Sequence, residues 1–159
     1  MTAIRTDPPP TPAAMPRRRG GVRRALRRAW RECLIPIAAG DTAAVGPLRG
    51  VARSALAWWD VPMQKRADIL VALSELATNA LVHTGGPVRV RLTYRGGTVR
   101  LDIADTSPVP ALAGVPDTDC EDPHGWGLAI AEALADRLAV TADATGTGKL
   151  VTAEFDLAG

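Results

Sequence analysis

Between positions 69 and 81 the apolar residues Ile69, Leu70, Leu73, Leu76, Ala77, Ala80 and Leu81 recur every three or four residues, the spacing of one buried helical face. Pro62 precedes this run and Gly85-Gly86 follows it, so the pattern predicts a helix over about 63–83, stopped by the glycines. The period then changes from 3.6 to 2. Val88, Val90, Leu92 and Tyr94 alternate with Arg89, Arg91 and Thr93, and Val99, Leu101 and Ile103 resume the alternation after Arg95-Gly96-Gly97. That is a β-hairpin with one buried face. Upstream, residues 33–38 form a short apolar strand, and 42–59 an amphipathic helix broken near Gly46-Pro47. Downstream, residues 106–124 are rich in Pro, Asp and Gly without periodicity, as in a mobile loop. A helix over about 127–137 comes next, then strands at 138–142 and 150–157 around Gly146-Thr147-Gly148. These elements predict an α/β (α+β) two-layer sandwich, with one mixed, mostly antiparallel sheet carrying helices on one face.

The predicted long helix carries more than a core face. Glu75, Asn79 and His83 stand at i, i+4 and i+8, and so share one stripe. Glu75 and Asn79 offer hard oxygens suited to magnesium, which takes few protein ligands and completes its shell with phosphate and water. Taken alone, they also read as polar residues of a solvated face. Asp105 ends the second hairpin strand, where its carboxylate reaches the rim of the sheet; a turn-forming Asp before Ser107-Pro108 is the plainer account. Gly125-Trp126-Gly127 opens the next helix, and glycines there let backbone N–H groups approach an anion at the helix N-terminus.

In this order, Glu75-x-x-x-Asn79 on a helix, Asp105 at a strand end and Gly125-x-Gly127 opening a helix resemble the N box and the two glycine boxes of the GHKL ATPases. The wording SELATNALVHTGGPVRVRL, followed by GWGLAIAEALADRLAV, is most similar to bacterial anti-sigma-factor serine/threonine kinases, over about residues 32–157. The resemblance implies a Bergerat-type ATPase fold with ATP and magnesium as ligands. It implies that Asn79 coordinates the magnesium, that Glu75 orients or deprotonates the attacking hydroxyl, and that Asp105 accepts a hydrogen bond from the adenine amino group. It further implies that Gly125, Trp126, Gly127 and Leu128 wrap the phosphates under a lid formed by 106–124. His83 either lines the site or caps and packs, Trp126 either covers the nucleotide or anchors a surface, and Lys149 either reaches phosphate or sits on a strand edge. The chain departs from the family at the first glycine box, where Asp105-Thr106-Ser107-Pro108-Val109 lacks both glycines, and at Lys149, where a threonine is usual.

Composition supports one domain and divides its charge unevenly. The chain has 159 residues, 47% of them hydrophobic and 23% charged. Residues 1–31 carry nine arginines against Asp7, net +8, while the remainder carries ten bases and sixteen acids, net −6, giving the chain its +2. The Pro- and Arg-rich segment 1–31 is expected to be a disordered basic tail, and 32–157 the ATP-binding domain. The tail either contacts an acidic surface or nucleic acid, or is a neutral extension; no aromatic cluster or recognition helix accompanies its arginines to read DNA sequence. There is no apolar run of membrane-spanning length and no apolar core of a signal peptide, so a cytoplasmic protein is the expectation. Cys33 and Cys120 read as reduced structural thiols.

Other nucleotide motifs fail on spacing. A P-loop at Gly148-Lys149 would need glycine at Asp143 and Ser or Thr at Leu150, and a Rossmann fingerprint from Gly125 would need glycine at Ile130. His83 and His124 lack the spacing of a metal hydrolase. The resemblance therefore implies an ATP- and magnesium-dependent serine/threonine kinase that phosphorylates an anti-anti-sigma (STAS-like) partner, also binds a sigma factor, and is compatible with a homodimer. The alternative is a non-catalytic ATP-binding module that sequesters a regulatory partner.

Overall fold

The computed structural model describes residues 32–107, 126–142 and 147–157. The expected basic tail, the lid from residue 108 onward with Cys120 and His124, and Gly125 lie outside the described residues. Strand β1 (Glu32–Ile37) leads through a short 3-10 turn (Thr42–Ala44) into helix α1 (Val45–Trp58), and helix α2 (Met63–His83) follows. Strands β2 (Val88–Arg95) and β3 (Thr98–Asp105) form a hairpin, and helix α3 (Trp126–Leu134) precedes strands β4 (Arg137–Ala142) and β5 (Lys149–Asp156).

The strands join in the order β1-β2-β3-β5-β4, and all four pairings are antiparallel. This is the expected sandwich, with the sheet antiparallel throughout its described pairings. Register sets the faces. Ile35, Val90, Ile103, Val151 and Val140 lie side by side across the five strands, and Val88, Leu92, Val99, Leu101, Ala153 and Phe155 extend the same face; those on the three central strands are buried. Against it α2 buries Ile69, Leu73, Leu76, Ala77 and Ala80, and α1 buries Leu48, Ala52 and Leu56, all in one cluster. Each such branched aliphatic side chain contributes about 1.5–3 kcal/mol over exposure, so the α2 face and the central strands hold most of the core. The opposite sheet face carries ion pairs instead: Arg100 to Asp102 (2.8 Å), Arg100 to Glu154 (3.7 Å) and Arg137 to Glu154 (3.3 Å).

Local chemistry accounts for the connections. Gly96 (φ 62°) and Gly97 (φ 89°) both take positive φ between paired Arg95 and Thr98, as a two-residue hairpin turn matching strand twist requires. The expected break at Gly46-Pro47 does not occur, and α1 runs through both residues. Pro47 falls in the first helical turn, where an N–H has no intrahelical acceptor and its absence costs little. After α1 the chain turns with Asp60 at φ 58°, Asp60 N–H on the Ala57 carbonyl (3.2 Å) and Val61 N–H on that of Leu56 (3.1 Å), while Leu56 and Val61 are both fully buried. That is a Schellman cap with aspartate in the glycine position.

Helix α2 ends at the expected residue by a different device. Thr84 leaves the helix in an extended conformation (φ −107°, ψ 138°), and Gly85 and Gly86 keep ordinary negative φ. Helix α3, by contrast, ends earlier than expected. It stops at Leu134 because the Asp136 N–H is taken by the Glu154 carbonyl (2.9 Å), which starts β4 at Arg137.

Candidate functional site

Because one face of α2 is consumed by the core, the residues left over are displayed as a set. Glu75 and Asn79 are half-buried and His83, one turn further, is exposed. Helix α3 packs against α2. A Cβ on Gly127, the second residue of α3, would lie 2.5 Å from Asn79 Nδ2 and 3.1 Å from Oδ1. Only glycine lets the Asn79 amide meet the first turn of α3, where backbone N–H groups have no partner within the helix. Such a turn, with a side-chain amide oxygen beside it, suits an anionic group and a cation shared with it. Leu128 is 41% exposed next to this junction, and Trp126 begins the helix.

The second cluster stands at the end of β3. The Asp105 side chain has no exposure. Its Oδ1 accepts the Ser107 N–H (2.7 Å) and the Ser107 hydroxyl, an Asx turn that fixes the carboxylate. Its Oδ2 is buried and has no hydrogen-bond partner among the described residues. Lys149 Nζ lies 3.5 Å from that oxygen and is 19% exposed. Asp105 and Lys149 are direct cross-strand partners of β3 and β5, so both side chains stand on the helical face. Gly148 makes this possible, since a Cβ there would overlap the Asp105 carbonyl oxygen.

A third contact ties the end of α2 to this strand end. The Thr84 and Thr106 hydroxyls are 2.7 Å apart, and the Gly86 N–H donates to Thr84 Oγ1 (3.3 Å). A Cβ on Gly86 would overlap Thr106. The structure thus brings Asn79 to Gly127 and Asp105 to Lys149, with Thr84 and Thr106 joining the helix that carries the first pair to the strand that carries the second.

The family described as the histidine kinase-like ATPase domain matches residues 38–155. The chain belongs to that family. No curated protein matches it. As a histidine kinase-like ATPase domain of the GHKL type, it is an ATP-binding domain, and its match runs from the residue after β1 to the penultimate residue of β5. Among the described residues no helix is long and apolar enough to cross a membrane. Nor does any group of three or more His, Cys, Asp or Glu among them stand close enough to hold a metal ion.

Thr84, Thr106, Ser107 and Gly148 join the site without having been singled out for it in the sequence. Ser107 had a local signal, because a serine two residues after aspartate completes an Asx turn. The other three act through residues 22 or more positions away, as Thr84 does on Thr106, and no local pattern encodes that.

Proposed function

We propose that this domain is an ATP- and magnesium-dependent serine/threonine protein kinase of the anti-sigma-factor type, which phosphorylates an anti-anti-sigma (STAS-like) partner and holds a sigma factor in alternation with it. The observation that carries the nucleotide reading is Asp105 Oδ2, a buried carboxylate oxygen with no hydrogen-bond donor among the described residues. Leaving such an acceptor empty costs more than filling it, so a donor from a bound ligand is favoured there. The exocyclic amino group of adenine is such a donor, and the carbonyl of guanine is not.

The residues at the other cluster fit magnesium brought in with phosphate. Asn79 supplies one oxygen ligand, which is enough for an ion whose remaining ligands are phosphate oxygens and water. When bound, the ion neutralises charge on the transferring phosphate. Gly127 and Leu128 present the start of α3 to the phosphates, and the family resemblance adds Gly125 and Trp126 to that role. Glu75 lies one turn before Asn79 and half-buried, so it orients the partner's hydroxyl and receives its proton. His83 stands at the exposed end of the same stripe and borders the opening. Phosphoryl transfer asks little more of a protein than this positioning and charge balance.

Calorimetry with ATP, with and without magnesium, tests the reading on the wild type, Asp105→Ala and Glu75→Gln. Magnesium-dependent binding is expected in the wild type, lost in Asp105→Ala and kept in Glu75→Gln, whose phosphoryl transfer to a STAS-like protein falls by at least about 100-fold. No binding at millimolar ATP would sink the proposal. Equal partner function in wild type and Glu75→Gln would instead identify a non-catalytic sequestering module.

A further inference from the structure

Asp105 and Lys149 together form a two-point contact, and the nucleotide reading above uses only the aspartate. A buried carboxylate oxygen with no hydrogen bond among the described residues and an ammonium 3.5 Å from it face the same side of the sheet from directly opposed positions. Gly148 holds the lysine-bearing strand against the Asp105 backbone, so the pair is set by the main chain as well as by side-chain reach. At 3.5 Å, with Oδ2 making no hydrogen bond, the ammonium balances the carboxylate's charge and leaves its lone pair open.

An acceptor beside a donor is the complement of a ligand edge that offers a donor beside an acceptor. The Watson–Crick edge of adenine has that form, with the N6 amino group next to N1. Guanine reverses both, with O6 accepting and N1–H donating.

We infer that Lys149 is a specificity-determining residue of the base pocket: its ammonium neutralises Asp105 while the pocket is empty and donates to adenine N1 once N6 occupies Asp105 Oδ2. This rests on the ATP-binding reading and deepens it. Two further consequences follow from the same pair. Removing the lysine leaves a buried carboxylate without its cation, which destabilises the empty protein. Removing both charges relieves that cost.

The experiment compares ATP with 1-deaza-ATP, in which a C–H replaces N1 and abolishes the acceptor, on the wild type, Lys149→Met, Asp105→Asn and the Asp105→Asn/Lys149→Met pair. The wild type is expected to bind ATP about 10- to 100-fold more tightly than 1-deaza-ATP, the range of one hydrogen bond to a charged donor. Lys149→Met is expected to bind ATP more weakly and to lose the discrimination. Without nucleotide, its melting temperature should fall by about 5 °C and recover in the double variant. That second readout is independent of any ligand.

Discrimination that survives in Lys149→Met, or tighter ATP binding in that variant, would overturn the inference, the latter by making the lysine a plug. If Asp105→Asn abolishes ATP binding while Lys149→Met changes neither affinity nor discrimination, the nucleotide site stands and the lysine's role alone falls. Failure of the wild type to bind ATP overturns both.

Discussion

Two glycines at the site are constrained in different ways, and the difference separates function from folding. At Gly127 the obstacle to a Cβ is the Asn79 amide, the end of a flexible side chain that can swing away. At Gly148 it is a backbone carbonyl, which cannot move without distorting β3. Gly127→Ala is therefore expected to keep its stability within about 1 kcal/mol, within the small effects of substitutions a site can absorb, and to lose magnesium-dependent ATP binding as Asn79 is displaced. Gly148→Ala is expected to lose about 1–3 kcal/mol, the scale of overpacking, together with nucleotide binding. Urea denaturation and calorimetry on both variants check this, and equal stability losses would contradict it. Gly127 was legible in the sequence because a glycine opening a helix has a recognised use at phosphates. The need for glycine at 148 comes from β5 pressing on a residue 43 positions earlier, through a pairing that no local pattern reveals.

Among the elements, those with a clean period were legible and their ends were not. The 3.6 repeat gave α2 its full extent, and alternation gave both faces of β2 and β3. The break assigned to Gly46-Pro47 failed because a proline's effect depends on its position within a helix, and the sequence does not show where the first turn begins. The end of α2 is a similar case. Thr84 and Thr106 hold it through hydroxyls on separate elements, with Thr84 buried, so each satisfies the other. Thr84→Val is expected to cost about 1–2 kcal/mol by leaving Thr106 without its partner, and to weaken ATP binding by loosening the strand end beside Asp105. Thr84→Val/Thr106→Val should cost less than the two single changes added together, since the pair is removed whole. A double-mutant cycle by thermal denaturation measures this coupling, and strictly additive losses would show that the two hydroxyls do not act as a unit.

At the scale of the whole molecule, the sequence implied two hairpins and a sheet backed by helices, but the strand order needed the fold. In β1-β2-β3-β5-β4 the last strand enters between β3 and β4, which is what delivers Lys149 to Asp105 and couples the chain's end to its centre. One charged group closes this arrangement at the far end of β5. Asp136, between α3 and β4, accepts the Asp156 N–H (2.8 Å) from the end of β5 and Lys65 Nζ (3.1 Å) from the first turn of α2. The Asp156 N–H first, and Lys65 second, hold the Asp136 carboxyl below the usual aspartate range. A carboxyl whose pKa is lower in the folded state binds its proton more weakly there than in the unfolded chain. Its contribution to stability is then present above the unfolded value near 3.9 and disappears as pH falls through the folded value beneath it. The side chain is 41% exposed, so solvent screens the Lys65 pair and the effect is modest. Asp136→Asn is expected to lower the melting temperature at pH 7, with the gap from wild type constant down to about pH 5 and closing below pH 4. High salt should narrow the part due to Lys65 and leave the backbone hydrogen bond, so part of the gap should persist at 1 M. Calorimetric scans of both proteins from pH 3 to 7, at low and high salt, measure this, and a gap that widens on acidification would show that Asp136 does not tie these three elements together as an anion.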